Sequence, residues 1–393
     1  MAQSIRDRVA VIGMGCTHFG ERWDCDALDL MVECAYEAYE DAGIEPNDIE
    51  AAWFGTQNSA WSGQPAATAL KLDYIPITRV ENFCCTGTDA FRNACYAVAA
   101  GVYDITLAIG VEKLKDTGYT GLGGGGVPGT SQVEIQAAPP VQFALAATRY
   151  ADHYKMSIED LKKALARISV KNHKNGTLNP KAHFQKEITM DQALKAPWIA
   201  WPLGLFDCCG VSDGSACAII TTPELAKKFR DDYVLVKGLG LAVAGRQGQL
   251  QDDYDFVHFE ENVRASRQAY QQAGITNPLK EIDHAMVHDC FTITELIIME
   301  DLQFAPRGGA PEMVHAGAFD AAGELAVNID GGLKCFGHPI GASGLRMIYE
   351  VYKQLQGKAG PRQRKNPTLG LTHNLGGLPG SFTCAVTILG TRD

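Results

Sequence analysis

Short apolar runs that end near glycine alternate, along most of this chain, with stretches whose apolar residues return every three or four positions. Asp7-Arg-Val-Ala-Val-Ile-Gly13-Met-Gly15 and Ile105 to Gly110 are runs of the first kind. Ala90, Phe91, Ala94, Cys95, Val98 and Ala99 are of the second, with Gly101 placed to end the helix they predict. β-rich runs alternating with amphipathic helices predict an α/β architecture with a mainly parallel, helix-covered sheet.

The pattern occurs twice. Asp7 to Gly15 is echoed by Asp232-Tyr-Val-Leu-Val-Lys-Gly238-Leu-Gly240, each reading as a buried strand that closes in a glycine turn. The following helix recurs as AYEDAGI (Ala38 to Ile44) and AYQQAGI (Ala269 to Ile275). Each copy leads into an acidic–Ile–acidic step, Asp48-Ile49-Glu50 and Glu281-Ile282-Asp283. The copies lie 225 residues apart at the strand and 231 at the helix, a difference that one small insertion explains. Two matches in the same order predict a duplicated α/β half.

Between the copies the pattern changes. GYTGLGGGGVPGT, from Gly118, lacks the GK[ST] ending of a phosphate-binding loop and reads as a flexible turn or lid. Lys155 to Glu187 carries eight Lys/Arg against three Asp/Glu in a chain of net charge −11. It is either a solvated helix face or a landing site for a polyanionic ligand or partner, with Lys171, Lys174 and Lys181 as the candidates. Its centre, Ser169 to Phe184, holds too much Asn, Gly and Pro for regular helix. The expected boundaries are 1–117 with 197–230 for the first half, 118–196 for an inserted loop domain and 231–393 for the second half.

Composition narrows the class. A length of 393 residues exceeds one ordinary domain, and 46% hydrophobic residues supply large cores. The acidic balance argues against nucleic acid or anionic membrane as the main partner. A charged start running straight into a strand pattern gives no sign of a secretion signal. No apolar run approaches the roughly 18 residues of a membrane span. Twelve cysteines without a CxxC pair are expected to stay reduced and not to form a zinc ribbon. Cys335 and His338 have ligand-like spacing but no second pair. The expectation is a cytoplasmic protein without bound metal.

Four places concentrate reactive side chains. Cys84 and Cys85 precede Thr86-Gly87-Thr88-Asp89 at a strand-to-helix turn, where free amides and the helix dipole can lower a thiol pKa. Either cysteine is a candidate nucleophile, whereas Cys95 falls in the apolar stripe. Gly337-His338-Pro-Ile-Gly341-Ala-Ser-Gly344 is a second glycine-bracketed turn entering a helix. Aligning Gly87 with Gly341 sets Cys84 opposite His338, both offset by 254 residues. A duplicated fold would bring this thiol and imidazole together, the arrangement that activates a weak nucleophile. Val287-His288-Asp289-Cys290-Phe291 follows an apolar run. The loop from His373 through Asn374, Gly376 and Gly380 can offer amides to an oxyanion.

Together these segments resemble the thiolase superfamily across essentially the whole chain. Asn82-Phe-Cys84-Cys85-Thr86-Gly87 is similar to its N-x-x-C-x-[ST]-G nucleophile motif, and Gly337 to Gly344 to its GHPxGxSG loop. SDGSACAI (Ser212 to Ile219) adds to the match. HDCF and HN-x-G, in place of NEAF and a final-loop cysteine, resemble the sterol-carrier-type subgroup. The resemblance implies the thiolase fold: two duplicated α/β halves in a five-layered α-β-α-β-α arrangement with an inserted loop domain. It also implies a ping-pong acyltransferase in which Cys84 is the nucleophile and Cys85 its inert neighbour. His338 would be the base, Cys290 the acid/base thiol and His288 a polariser, with the Cys84 and Gly376 amides as an oxyanion hole.

Coenzyme A is then a co-substrate, with no tightly bound cofactor. A homodimeric core and a small zinc-ribbon/OB-fold partner protein are the implied associations. The opening segment and the nucleophile motif resemble a branch that includes thiolases of aromatic degradation, whose substrate would be an aryl 3-oxoacyl-CoA such as benzoylsuccinyl-CoA, giving benzoyl-CoA and succinyl-CoA. Trp53, Phe54, Trp61 and Tyr119 are candidates for an aromatic pocket or for core packing. The alternatives are an acetoacetyl-CoA thiolase, a thiolase-fold aldolase and a non-catalytic scaffold subunit.

Overall fold

The computed structural model describes residues 4–117 and 138–392; the glycine-rich run from Gly118 and Tyr119 lie outside the described residues. Strands follow the chain as β1 (Ala10–Cys16), β2 (Ala51–Gly55), β3 (Ile77–Val80), β4 (Ile105–Glu112), β5 (Trp198–Ala200), β6 (Leu203–Gly204) and β7 (Gly214–Thr221). The second half adds β8 (Val234–Val243), β9 (His284–Met286), β10 (Ala326–Val327), β11 (Leu369–Leu378) and β12 (Ser381–Gly390).

The repeated glycine pairs explain how each half begins. They lie inside β1 and β8 rather than in turns, two residues apart and therefore on one face of the strand. A Cβ on Gly13 or Gly15 would stand 2.5 or 1.8 Å from the carbonyls of Ala38 and Cys34. One on Gly238 or Gly240 would stand 2.3 or 2.0 Å from those of Ala269 and Ala265. The bare face admits the backbone of the next helix, Ala27–Ala42 in the first half and Glu260–Ala273 in the second. Each helix then ends on a left-handed glycine, Gly43 (φ 71°) or Gly274 (φ 73°), so the repeated AGI is a helix stop.

Ten strands form one hydrogen-bonded run in the order β10-β9-β11-β12-β8-β1-β7-β4-β2-β3. The order is a palindrome about the β8/β1 junction: β1, β7, β4, β2 and β3 answer β8, β12, β11, β9 and β10. Only Ala10–Leu235 and Val11–Val234 pair across that junction. Two helices, Thr86–Ala99 and Ser343–Leu355, pack on strands of both halves, whereas Ala27–Ala42 and Glu260–Ala273 pack each on its own half. The result is helix, sheet, central helices, sheet, helix.

The sheet is mixed rather than mainly parallel. Parallel pairing is confined to β3/β2/β4 and β10/β9/β11, and the pairs nearer the junction are antiparallel. β11 and β12 are joined through Pro379-Gly380, too few residues for a crossover helix. β7 enters beside β4 only after about a hundred intervening residues, 113–213.

Between β4 and β7, the first part of the basic centre, Ser169 to Gly176, belongs to a regular helix, Ile158–Gly176, while Thr177 to Phe184 is irregular as expected. Several polar residues of the helix are internal. Lys171 Nζ pairs with Glu295 and donates to the Val327 carbonyl at 3.1 Å. Asn172 Nδ2 donates to Asp289 (2.8 Å) and Glu295 (2.9 Å), and Asn175 to the Asn328 carbonyl (3.0 Å). Tertiary hydrogen bonds overrule the low helix propensity here. Lys171 is therefore a buried structural cation and not a phosphate contact. Lys181 is likewise engaged, by Glu37 (2.5 Å) and the Cys16 carbonyl. Of the three lysine candidates, Lys174 is exposed.

The proposed aromatic set also disperses. Phe54 is buried in the first-half core, Trp53 packs edge-on against Tyr103 and Trp61 is fully exposed. No helix among the described residues is long and apolar enough to cross a membrane.

Candidate active site

The turn that carries Cys84 is built by its own polar neighbours. Phe83 takes a left-handed conformation (φ 51°), costly for a residue with a side chain. The surrounding bonds hold it there. Thr86 Oγ1 donates to the Phe83 carbonyl at 2.6 Å and accepts from the Asn82 amide at 2.9 Å, while Asn82 Nδ2 donates to Asp89 at 2.5 Å. The helix begins at Thr86, so Thr86 to Asp89 form its first turn rather than a segment before it.

The His338 turn meets this one across the junction between the halves. A Cβ on Gly87 or Gly110 would stand 2.7 or 2.1 Å from the Gly341 carbonyl, and one on Gly344 2.5 Å from the Thr88 amide. Glycine at these positions lets the two main chains touch. Glu112, buried at the end of β4, fastens the contact. Its carboxylate accepts from the amides of Gln57, Asn58 and Ser59 and from the Gly341 amide at 3.0 Å.

His338 Nε2 lies 3.2 Å from Cys84 Sγ. Its Nδ1 lies 2.7 Å from Ser343 Oγ, whose own proton goes to the Pro339 carbonyl at 2.8 Å. Ser343 thus accepts from Nδ1–H, and Nε2 presents a lone pair to the thiol. Burial, with a contribution from Arg346, pulls the imidazole down to about 3. The Cys84 thiol is pushed up by burial, then by nearby Cys209 and acidic groups. The expectation of a thiolate stabilised by the helix terminus is overturned: desolvation outweighs the dipole at this buried turn. Burial thus favours a neutral thiol beside a neutral imidazole, an arrangement in which a proton can pass from Sγ to Nε2.

A consequence is measurable. Because the folded value of His338 is depressed, the imidazole takes up a proton only as pH falls through that value, not through 6.5. The kcat/KM profile of the free enzyme should carry no acid limb near pH 6.5. A tenfold loss per pH unit beginning there would refute the neutral-base arrangement.

Cys85 points elsewhere. Its Sγ donates to the carbonyls of Thr383 (2.9 Å) and Asn374 (3.2 Å), and burial raises its thiol. Cys95 packs in the core, as does Cys335, which lies against Gly176 rather than joining His338 as a ligand.

His288 and Cys290 arrive on the turn after β9. The His288 and His338 rings meet edge to face with centroids 5.2 Å apart. One ligating atom each from Cys84, His288 and His338 falls within 4.8 Å of the others, the one such grouping found among the described residues and a set that could hold a soft metal ion. Burial, then the neighbouring His338, keeps His288 neutral. Cys290 is buried with its thiol raised, first by desolvation and then by Cys209 and Cys84. Gly376 lies against the Cys84 turn, where a Cβ would stand 2.7 Å from the Cys84 amide nitrogen.

Several supports were not singled out in the sequence. Asp289 accepts from the amides of Leu333 (2.6 Å) and Lys334 (3.2 Å), tying the Cys290 turn to the segment that leads to His338. Burial, then Glu295, raises its carboxyl. Cys209, whose amide donates to the Cys290 carbonyl at 2.9 Å, adds a third thiol to the neighbourhood. The available signals were an acid closing the apolar run of β4 and a second Cys-Cys pair at Cys208-Cys209.

Known proteins share this organisation. Residues 9–224 match the thiolase N-terminal domain and residues 242–391 the thiolase C-terminal domain-like family. The chain is 36% identical over 386 residues to an acetyl-CoA acetyltransferase of Methanothermobacter thermautotrophicus, covering 97% of this chain and 98% of that one. It is 30% identical over 377 residues to benzoylsuccinyl-CoA thiolase subunit BbsB of Thauera aromatica, covering 94% and 95%. Among solved structures it superposes on the Ltp2-ChsH2(DUF35) aldolase with a TM-score of 0.82 at 24% identity, covering 98% of each chain. A duplicated half whose two matching turns confront a thiol with an imidazole, recognised end to end by both domain families, makes this chain an acyltransferase of the thiolase family.

Proposed function

We propose that the chain exchanges acyl groups between a 3-oxoacyl-CoA and CoA through an acyl–Cys84 intermediate. The observation that carries this reading is the 3.2 Å approach of His338 Nε2 to Cys84 Sγ, with Nδ1 committed to Ser343. His338 takes the thiol proton as Sγ attacks the 3-oxo carbon. The amides of Cys84 and Gly376 receive the oxyanion, each such donor being worth about 3–4 kcal/mol. Collapse breaks the Cα–Cβ bond and leaves an enolate whose charge gathers on the thioester oxygen, near His288 and His338. Cys290 protonates the carbon, and the shortened acyl-CoA leaves. The Cys290 thiolate then takes the proton of incoming CoA, whose sulfur attacks the acyl group, and protonated His338 returns its proton to Cys84.

The finer reading is an aryl 3-oxoacyl-CoA of the benzoylsuccinyl-CoA kind. Its support is the BbsB relative. The competing reading, acetoacetyl-CoA, has the higher-identity relative. Parallel assays with acetoacetyl-CoA and an aryl 3-oxoacyl-CoA separate them, and strong preference for acetoacetyl-CoA would sink the aromatic assignment. An aldolase needs no acyl-enzyme, and retention of Cys84, Cys290 and His338 in one site weighs against it.

A partner protein of the zinc-ribbon/OB-fold kind completes the CoA site in this proposal. BbsB is itself named a subunit, and the aldolase neighbour carries a DUF35 component. Lys171 and Lys181 are spent internally, which leaves few cations on this segment for CoA phosphates. Full CoA-dependent turnover by the purified single chain would count against the partner. A homodimeric core fits the open outer edge of β3, which ends the sheet.

A further inference from the structure

Gly238 and Gly240 receive the carbonyls of Ala269 and Ala265, and Ala242 follows at the same spacing on the same face of β8. A cavity of about 430 Å³ opens beside Ala242, between the end of β8, the segment Gln247 to Tyr254 and the first turn of the helix Glu260–Ala273. None of Cys84, His288, Cys290 and His338 lines it.

The polar part of its wall is one-sided. Glu261 is 5% exposed; its Oε1 accepts from the Phe382 amide at 3.2 Å, and its Oε2 has no partner among the described residues. Oε1 of Gln247 is also unpartnered, as is the Tyr254 hydroxyl. The first two atoms can only accept a hydrogen bond while Glu261 is ionised, and the hydroxyl can accept one as well. The cations of the wall are already committed, Arg264 to Glu260 at 2.8 Å and His258 to Asp255 at 2.7 Å. Asp253 and Glu261 also line the cavity, and neither has an ion pair among the described residues. Burial raises the Glu261 carboxyl, as expected of an acid with no counter-charge beside it. Such a wall repels the phosphates of CoA and favours a positive group rich in donors.

We propose that this cavity binds a small organic ammonium, which gives N–H donors to Glu261 Oε2 and the neighbouring unpartnered oxygens and lays its methylene stem over Ala242, Val243 and Ala244. An ammonium carries three donors and no acceptor, the complement of this wall. An alcohol of the same length offers one donor and no charge. The site stands apart from the reacting groups, so it does not rest on the reading of Cys84 as an acyl carrier.

Saturation-transfer NMR of the full chain with n-butylammonium should show one saturable site, with n-butanol at least tenfold weaker. Glu261→Gln keeps the side-chain shape and removes the charge, and it should weaken butylammonium roughly 10–100-fold, the scale of a hydrogen bond to a charged group. Ala242→Leu narrows the cavity from its floor and should also weaken binding. Absence of saturable binding to the unsubstituted chain overturns the proposal, as does equal affinity for the alcohol. Undiminished binding in a folded Glu261→Gln or Ala242→Leu places the ligand elsewhere and overturns it too. The comparison of ammonium with alcohol needs no variant, so a substitution that fails to fold leaves the test decisive.

Discussion

Cys84→Ala is expected to abolish thiolytic turnover, with a loss in kcat on the order of 10⁶, the scale seen when a covalent nucleophile is removed. The second cysteine offers no rescue. Cys85 lies one residue away, yet its proton is directed to the Thr383 and Asn374 carbonyls and its sulfur to the back of the turn. The fold should survive, because the turn is held by Asn82, Thr86 and Asp89 rather than by the sulfur. Incubation with 3-oxoacyl-CoA followed by peptide mass spectrometry reads the result directly. The unsubstituted chain should carry the acyl group on the Cys84 peptide and the variant should carry none. Retained C–C cleavage in Cys84→Ala would end the acyl-enzyme mechanism.

His338→Ala should cost about 10²–10⁴ in the rate of acylation, the range for a positioned general base. The depressed pKa of the imidazole and the raised pKa of the thiol make the loss fall on this step. Without His338, attack requires a thiolate that the buried turn disfavours. Raising the pH should therefore restore part of the variant's rate, and a pH-independent deficit would argue that His338 acts only through packing. The two residues work as one unit, so Cys84→Ala combined with His338→Ala should be no slower than Cys84→Ala alone. Additive losses would show that the imidazole serves some step that does not pass through the sulfur.

How much of this was legible in the sequence depended on the range of the interactions. The duplication was visible because each copy needs the same local devices, a glycine pair for close helix packing and a glycine stop after AYEDA or AYQQA. The pairing of Cys84 with His338 followed from that repeat, since equivalent turns of two halves must meet at the axis relating them. What local pattern could not supply were bonds between distant segments. Lys171 looked like a surface charge and is an internal partner of Glu295. Ser169 to Gly176 looked irregular and is helical, because Asn172 and Asn175 bond to the second half. The pKa of Cys84 was misjudged for the same reason: the sequence displays the helix terminus but not the depth at which it is buried. Glu112 binds Gly341 across more than two hundred residues, and only its position at the end of an apolar run marked it.

The glycine contacts between the two catalytic turns have one more effect. Helices Thr86–Ala99 and Ser343–Leu355 both start there, and the packing of Gly87 on Gly341 and of Gly344 on Thr88 brings their N-terminal ends together. Each end carries roughly half a positive charge. Two like poles pressed together repel, and the tight main-chain contact keeps them from drifting apart. Negative charge developing between them would relieve that repulsion, whereas a neutral ligand would not. Asp89 in the first turn of one helix and Glu112 at the Gly341 amide already offset part of that charge, and the glycines that give the close fit also set how near the two ends come.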